Sequence, residues 1–116
     1  MPSPTSKTLV VDLDGTLCHT EDENYEVCHP VWPVIRKVNG LADKGWRIVV
    51  FTARGMGRYE GWVDLCYSEF FDRTEKWLRD HGVKYHELIM GKPSATYYLD
   101  DKGVNILEFL SEDFPD

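Results

Sequence analysis

Short apolar runs rich in β-branched residues alternate along the chain with longer stretches whose apolar residues recur every three or four positions, which is the pattern of an α/β fold with a largely parallel sheet. Thr8-Leu-Val-Val-Asp12 predicts the first strand. Val31, Val34, Ile35, Val38, Leu41 and Ala42 line one face of a helix between Pro30 and Gly45, and those two residues suit its ends. Arg47-Ile-Val-Val-Phe51 predicts a strand buried on both faces that ends at Thr52. A loop with Gly55, Gly57 and Gly61 follows. Trp62, Leu65, Cys66, Phe70, Trp77 and Leu78 then mark a second amphipathic helix, closed by Gly82, with room for a break near Ser68. Tyr85 to Met90 and Thr96-Tyr-Tyr-Leu-Asp100 predict a third and a fourth strand, and Val104 to Leu110 a short last helix. Glu112, Asp113 and Asp116 read as a solvated acidic end.

Composition narrows the picture. A chain of 116 residues has room for one hydrophobic core, so residues 8–116 are expected to form a single domain behind a flexible lead, residues 1–7. Hydrophobic residues make up 42% and charged residues 28%, a balance that excludes a disordered chain. Thirteen Lys and Arg against twenty Asp and Glu leave a net charge of −7, which repels nucleic-acid backbones and anionic lipid, so neither is an expected partner. The sequence has no apolar run near the roughly 20 residues that cross a bilayer, and its start lacks the apolar stretch of a signal peptide. A cytoplasmic location is expected. Cys18, Cys28 and Cys66 cannot all pair, and a reducing compartment keeps them as thiols. The dipeptides Cys18-His19 and Cys28-His29 raise the question of zinc, but adjacent residues in an extended segment face opposite ways, which leaves packing and solvent as the simpler fates.

Candidate chemistry sits where strands end. Asp12-Leu-Asp-Gly-Thr16 directly follows the first buried strand, the usual place for ligands in an open α/β sheet. Alternation puts Asp12 and Asp14 on one side, Gly15 permits a sharp turn, and Thr16 can bond back to a carboxylate. A capped turn is the plain alternative. Thr52 ends a second strand, Lys92 lies in Gly91-Lys-Pro93, and Asp100-Asp101 closes the last predicted strand. Singly, Thr52 could satisfy backbone groups and Lys92 could be a surface lysine before a proline. Arg54 and Arg58 could meet a second anionic group or stand in solvent. Trp32, Trp62, Trp77, Tyr97 and Tyr98 fit a core better than a base-stacking platform.

The order Asp-x-Asp-Gly-Thr, Thr after an apolar strand, Lys, then Asp-Asp after an apolar strand resembles the haloacid dehalogenase (HAD) superfamily, mostly phosphatases, over residues 8 to 103. The resemblance implies a three-layer Rossmann-like core on a short, mostly parallel sheet. It has no cap domain, because residues 17–29 leave room only for a helical turn and hairpin flap, and residues 55–82 only for a loop and a helix. Residues 103–110 are too short for a further strand and helix, so the sheet is trimmed to about four strands. It further implies a phosphomonoester hydrolase in which Asp12 is the nucleophile, Asp14 the general acid and base, and Gly15, Thr16, Thr52, Ala53, Arg54 and Lys92 hold the phosphoryl group. Carboxylates from Asp12, Asp14, Asp100 and Asp101 share a cleft with an anionic substrate only beside a cation, and Mg2+ is the expected one. Phe51-Thr-Ala-Arg-Gly55 with the compact Gly-Lys-Pro and Asp-Asp segment is similar to small capless members associated with capsule and surface-polysaccharide biosynthesis, which implies a small phosphorylated substrate such as a sugar phosphate.

Two rivals remain. A phosphorylation-receiver domain is also a small α/β protein with early acids and a late Lys-Pro, but it places its acceptor Asp after a middle strand. A HAD-fold binding or scaffold module without turnover would keep the same residues, and a turnover assay with magnesium separates it from an enzyme. The missing cap, the glycine loop and the aromatic Trp62, Tyr67 and Phe71 beyond it also suggest a homo-oligomer, a dimer or tetramer, packed beside each active site.

Overall fold

The computed structural model describes residues 7–21 and 24–115, so residues 1–6 of the expected lead and Asp116 of the acidic end lie outside the described residues. In chain order the elements are β1 (Thr8–Val11), β2 (Cys18–Glu21), β3 (Asn24–Pro30), α1 (Trp32–Asp43), β4 (Arg47–Thr52), α2 (Val63–Asp80), β5 (Glu87–Met90) and α3 (Ile106–Leu110). Strands β1, β4 and β5 form a parallel sheet in the order β1-β4-β5, while β2 and β3 pair as a separate antiparallel hairpin. The fold is thus α/β with a mostly parallel sheet.

Register decides what packs where. Leu9 and Val11 pair with Ile48 and Val50, which sit beside Leu88, and Thr52 pairs with Met90. These positions share one face because side chains alternate along a strand. On that face α1 buries Val34, Ile35, Val38 and Leu41 in one cluster with Val11, Ile48, Val50, Leu88 and Leu78 of α2. Further along, Cys66 and Phe70 of α2 cover Met90. Helices α1 and α2 therefore lie side by side on the same face. Val10, Val49, Phe51 and Ile89 point the other way, and Val10 is 58% exposed.

Both long helices end as their glycines foretell. Gly45 (φ +94°) and Gly82 (φ +67°) take the left-handed conformation, which lets Trp46 N donate to Leu41 O at 3.1 Å and Val83 N to Leu78 O at 3.0 Å. Helix α2 runs unbroken through Ser68. The last helix starts only at Ile106, where Asn105 accepts from Glu108 N at 2.8 Å, an N-cap that excludes Val104.

The sheet differs from the expected one at its edge. Thr96–Asp100 is not a strand: it belongs to a stretch from Pro93 to Asn105 exposed throughout, with Tyr97 88% and Leu99 100% accessible. Propensity for β structure is realised only against a partner strand, and this run has none. Three strands stand in the parallel sheet where about four were expected, and α1 and α2 both pack on one of its faces.

Candidate active site at the strand ends

Asp12 follows β1, Thr52 ends β4, and Gly91-Lys92 follows β5, so the parallel sheet delivers all three to its C-terminal edge. Lys92 N donates to Thr52 O at 3.1 Å, which ties the outer strand end to the middle one. The Lys92 ammonium then lies 3.6 Å from Asp12 Oδ1 and 4.4 Å from the Tyr98 ring centre. Partial burial pushes the Asp12 carboxyl above its ordinary value; Lys92 and the Leu13 amide pull it down, and Asp14 adds to the rise. This is a carboxylate short of water with one cation beside it.

Asp14 is held differently. Its turn is built by Gly15 (φ +88°) and by Leu13 O, which accepts from the amides of Thr16, Leu17 and Cys18. Arg54 Nε reaches Asp14 Oδ2 at 3.1 Å and Arg54 Nη2 reaches Asp14 Oδ1 at 2.7 Å, a two-pronged ion pair with the Arg54 side chain 3% exposed. Thr20 Oγ1 also donates to Asp14 Oδ1. Arg54 is positioned by its own amide donating to Thr52 Oγ1 at 3.0 Å, by Thr74 Oγ1 at 3.3 Å, and by the Tyr25 ring, 4.6 Å from its guanidinium carbon. Burial works against the Arg54 charge, and the hydrogen bonds and charge of Asp14 outweigh it, so its pKa is raised.

Arg54 is thus neither a solvated loop residue nor turned outward to an anion; it closes on Asp14. Arg58 is the exposed one, 3.2 Å from Glu69. Thr52 is buried, with its hydroxyl accepting the Arg54 amide. Gly15 is exposed, whereas Thr16 and Ala53 are half-buried. The shell around Arg54 and Asp14 is Thr20, Tyr25, Cys28 and Thr74, of which sequence reasoning weighed only Cys28, and that for zinc. Thr74 carried a signal, since it occupies a buried-stripe position midway between Phe70 and Leu78.

The thiols lie within this shell. The Cys18 and Cys28 sulfurs stand 2.6 Å apart, and Arg54 Nη2 stands 3.4 Å from Cys28 Sγ. The close contact with Cys18 lowers the Cys28 thiol to about 6 against opposing burial, with Thr20 and Arg54 adding to the effect. The same contact and burial push Cys18 up. His19 and His29 face each other across the hairpin on its exposed side, so the two Cys-His pairs split inward and outward as alternation requires. Among the described residues the one cluster of three potential metal ligands is Asp14, Cys18 and Cys28, and the Arg54 guanidinium already supplies its cation.

The four acids expected to surround Mg2+ do not converge within one chain. Asp14 faces Arg54, while Asp100 and Asp101 are exposed, with Asp100 Oδ1 accepting from Lys102 N at 2.7 Å and from Gly103 N. Asp12 alone is left beside Lys92, which is too few oxygen ligands for that ion. A shallow concavity lined by Tyr25, Arg54, Phe70 and Arg73 among others contains none of Asp12, Asp14 and Lys92.

The fold and site define a small parallel α/β protein with an acid and a lysine at its strand ends. It superposes on a crystal structure of a target protein from Vibrio cholerae with a TM-score of 0.87 and 36% identity, over 92% of this chain and 89% of that one. The chain belongs to the same family as that protein. Two structures of the Pnkp1/Rnl/Hen1 complex, one of them described as an RNA repair complex, share the fold at TM-scores of 0.55 and 0.57 with 17% and 18% identity; the match spans 30% and 32% of those chains. No protein-family model matches the chain, and no curated protein matches it. Among the described residues no helix is long and apolar enough to cross a membrane.

Proposed function

We propose that the protein is a magnesium-dependent phosphomonoester hydrolase of the HAD type, acting through an aspartyl-phosphate on Asp12. The observation that carries this reading is the Asp12–Lys92 pair at the C-terminal edge of a parallel sheet, 3.6 Å apart, with Thr52 on the strand between them. An Asp12 oxygen attacks phosphorus, the P–O bond to the alcohol breaks, and the departing oxygen takes a proton. Water then cleaves the acyl phosphate, releasing phosphate and restoring the carboxylate. Lys92 holds charge on the phosphoryl oxygens, and the partial burial of Asp12 strips away some of the water that would blunt the nucleophile. Magnesium, when bound, offsets the negative charge gathered there. For Asp14 to give and take the proton its carboxylate must turn from Arg54 toward Asp12.

A small substrate such as a sugar phosphate fits better than a polynucleotide, since a net charge of −7 opposes a polyanion along a surface. One observation favours a second reading, a binding module without turnover: Arg54 occupies the carboxylate that would move the proton. Release of phosphate from a panel of sugar phosphates, small alcohol phosphates and nucleotides, with and without magnesium, decides between them. Turnover lost in Asp12→Asn supports the enzyme; no turnover on any member, with binding retained, supports the module.

A further inference from the structure

We infer that the active site is completed in trans: the exposed arm, residues 93–105, of one copy of this chain lies along the free edge of β1 in a second copy and carries Asp100 and Asp101 to that copy's Asp12. The inference rests on the reading above for the use of the acids, and on geometry for the exchange.

Two open features of the fold match each other. Strand β1 is an edge strand among the described residues, with Val10 58% exposed on the sheet face opposite the helices. An edge of this kind offers unpaired backbone donors and acceptors to another strand. The arm is the other half. It contains Thr96-Tyr-Tyr-Leu-Asp100, a run with strand composition, and leaves Leu99 wholly exposed and Tyr97 88% exposed. Parallel sheets are normally covered on both faces, and this one leaves Val10 open at the β1 edge while Val49, one strand further in on the same face, is buried.

The chain cannot supply that strand to its own sheet. For Asp100 to arrive at Asp12, the strand must run parallel to β1, with Thr96 at the N-terminal end of the edge. Parallel neighbours need a crossover of about a dozen residues or more. Here the connection from the end of β5 at Met90 to Thr96 is residues 91–95. Lys92 is moreover fixed at the opposite end of the sheet by its amide bond to Thr52 O. Four residues from there reach at most about 14 Å. The far end of a strand docked on that edge lies three strand spacings across and one strand length down, about 19 Å even on a straight line through the sheet. The arm turns back locally instead, with Tyr98 Oη donating to Pro93 O and accepting from Ala95 N. A second copy has no such limit, because its arm enters from outside. The docked strand would bury Leu99 and Tyr97 with Val10 and place two more carboxylates beside Asp12, the oxygen ligands that a single chain lacks.

The test has two arms. Sedimentation velocity of the wild type should show a dimer or a larger closed assembly, and Tyr97→Asp/Leu99→Asp should be monomeric with unchanged circular dichroism; both side chains are exposed in the single chain, so its fold does not depend on them. A monomeric wild type, or an assembly indifferent to that substitution, overturns the exchange. In the second arm, Asp12→Asn and Asp100→Asn/Asp101→Asn, each without phosphatase activity, are unfolded, mixed and refolded together. Exchange leaves about one site in four with its own Asp12 and an intact donated arm, so about a quarter of wild-type activity should return. No return overturns it. An inactive wild type would sink the phosphatase reading alone, and sedimentation would still decide the exchange.

Discussion

At Asp12, chemistry and stability oppose each other. Burial raises its carboxyl pKa, so the folded state favours the neutral acid; the stability this brings is full below the ordinary carboxylate value and is lost as pH rises through the raised one. Asp12→Asn should therefore abolish phosphate release while melting higher than wild type at neutral pH, with the gap closing as pH falls into the carboxylate range. Melting curves between acid and neutral pH check the sign. Arg54 works the other way. Removing it in Arg54→Ala leaves Asp14 and Thr74 without their buried partner and should cost about 3–5 kcal/mol in denaturant unfolding. Beside it, Cys28 is lowered to about 6, so its thiolate adds stability above the ordinary thiol value and loses it as pH falls through about 6. Iodoacetamide should label Cys28 at neutral pH at a rate that drops through that value, while Cys18 and Cys66, buried and raised, stay unlabelled on peptide mapping.

Between β4 and α2 the chain turns at Gly55, where the backbone adopts φ +85° and an added Cβ would stand 2.8 Å from the Phe70 ring and 3.1 Å from Cys66 Sγ. Phe70 has little freedom to yield, because Tyr25 packs edge-on against it at 5.0 Å. Gly55→Ala should lower stability by about 1–3 kcal/mol from backbone strain and overpacking together. Gly57→Ala, with open space around it and no left-handed backbone, should leave the urea midpoint unchanged. What the sequence makes legible at this scale is whatever is decided locally. The buried stripe Val34, Ile35, Val38 and Leu41 of α1 follows helical spacing, and Gly45 and Gly82 stop their helices through their own backbone freedom. The three polar strand ends, Asp12, Thr52 and Lys92, were legible for the same reason, since each directly follows or closes an apolar run. Partners from distant segments were not. Tyr25 and Cys28 of β3 and Thr74 of α2 meet at Arg54, and only Thr74, a hydroxyl on an apolar stripe, hinted at a buried partner. Thr96–Asp100 failed for a related reason: its composition states a preference, and among the described residues no strand lies beside it to realise it.

For the molecule as a whole, exchange of the arm makes stability a property of concentration. A chain whose Leu99 and Tyr97 are covered only by another copy gains stability by mass action, so the wild-type thermal midpoint should rise with protein concentration. Each copy also brings a net charge of −7, and the docked arm sets Asp100 and Asp101 against Asp12. Like charges gathered in this way weaken the assembly until a cation offsets them. Millimolar magnesium should therefore raise the midpoint further, and should tighten the assembly at low protein concentration, because it binds a site that only the assembled state contains. Tyr97→Asp/Leu99→Asp should lose the dependence on concentration and most of the magnesium response together, since its four acids stay scattered as they are in the single chain. Fluorimetric melting of both proteins at two concentrations, with and without magnesium, measures all of this in one series. A variant that stays monomeric yet keeps the full magnesium shift would place the metal site within one chain and detach it from the arm.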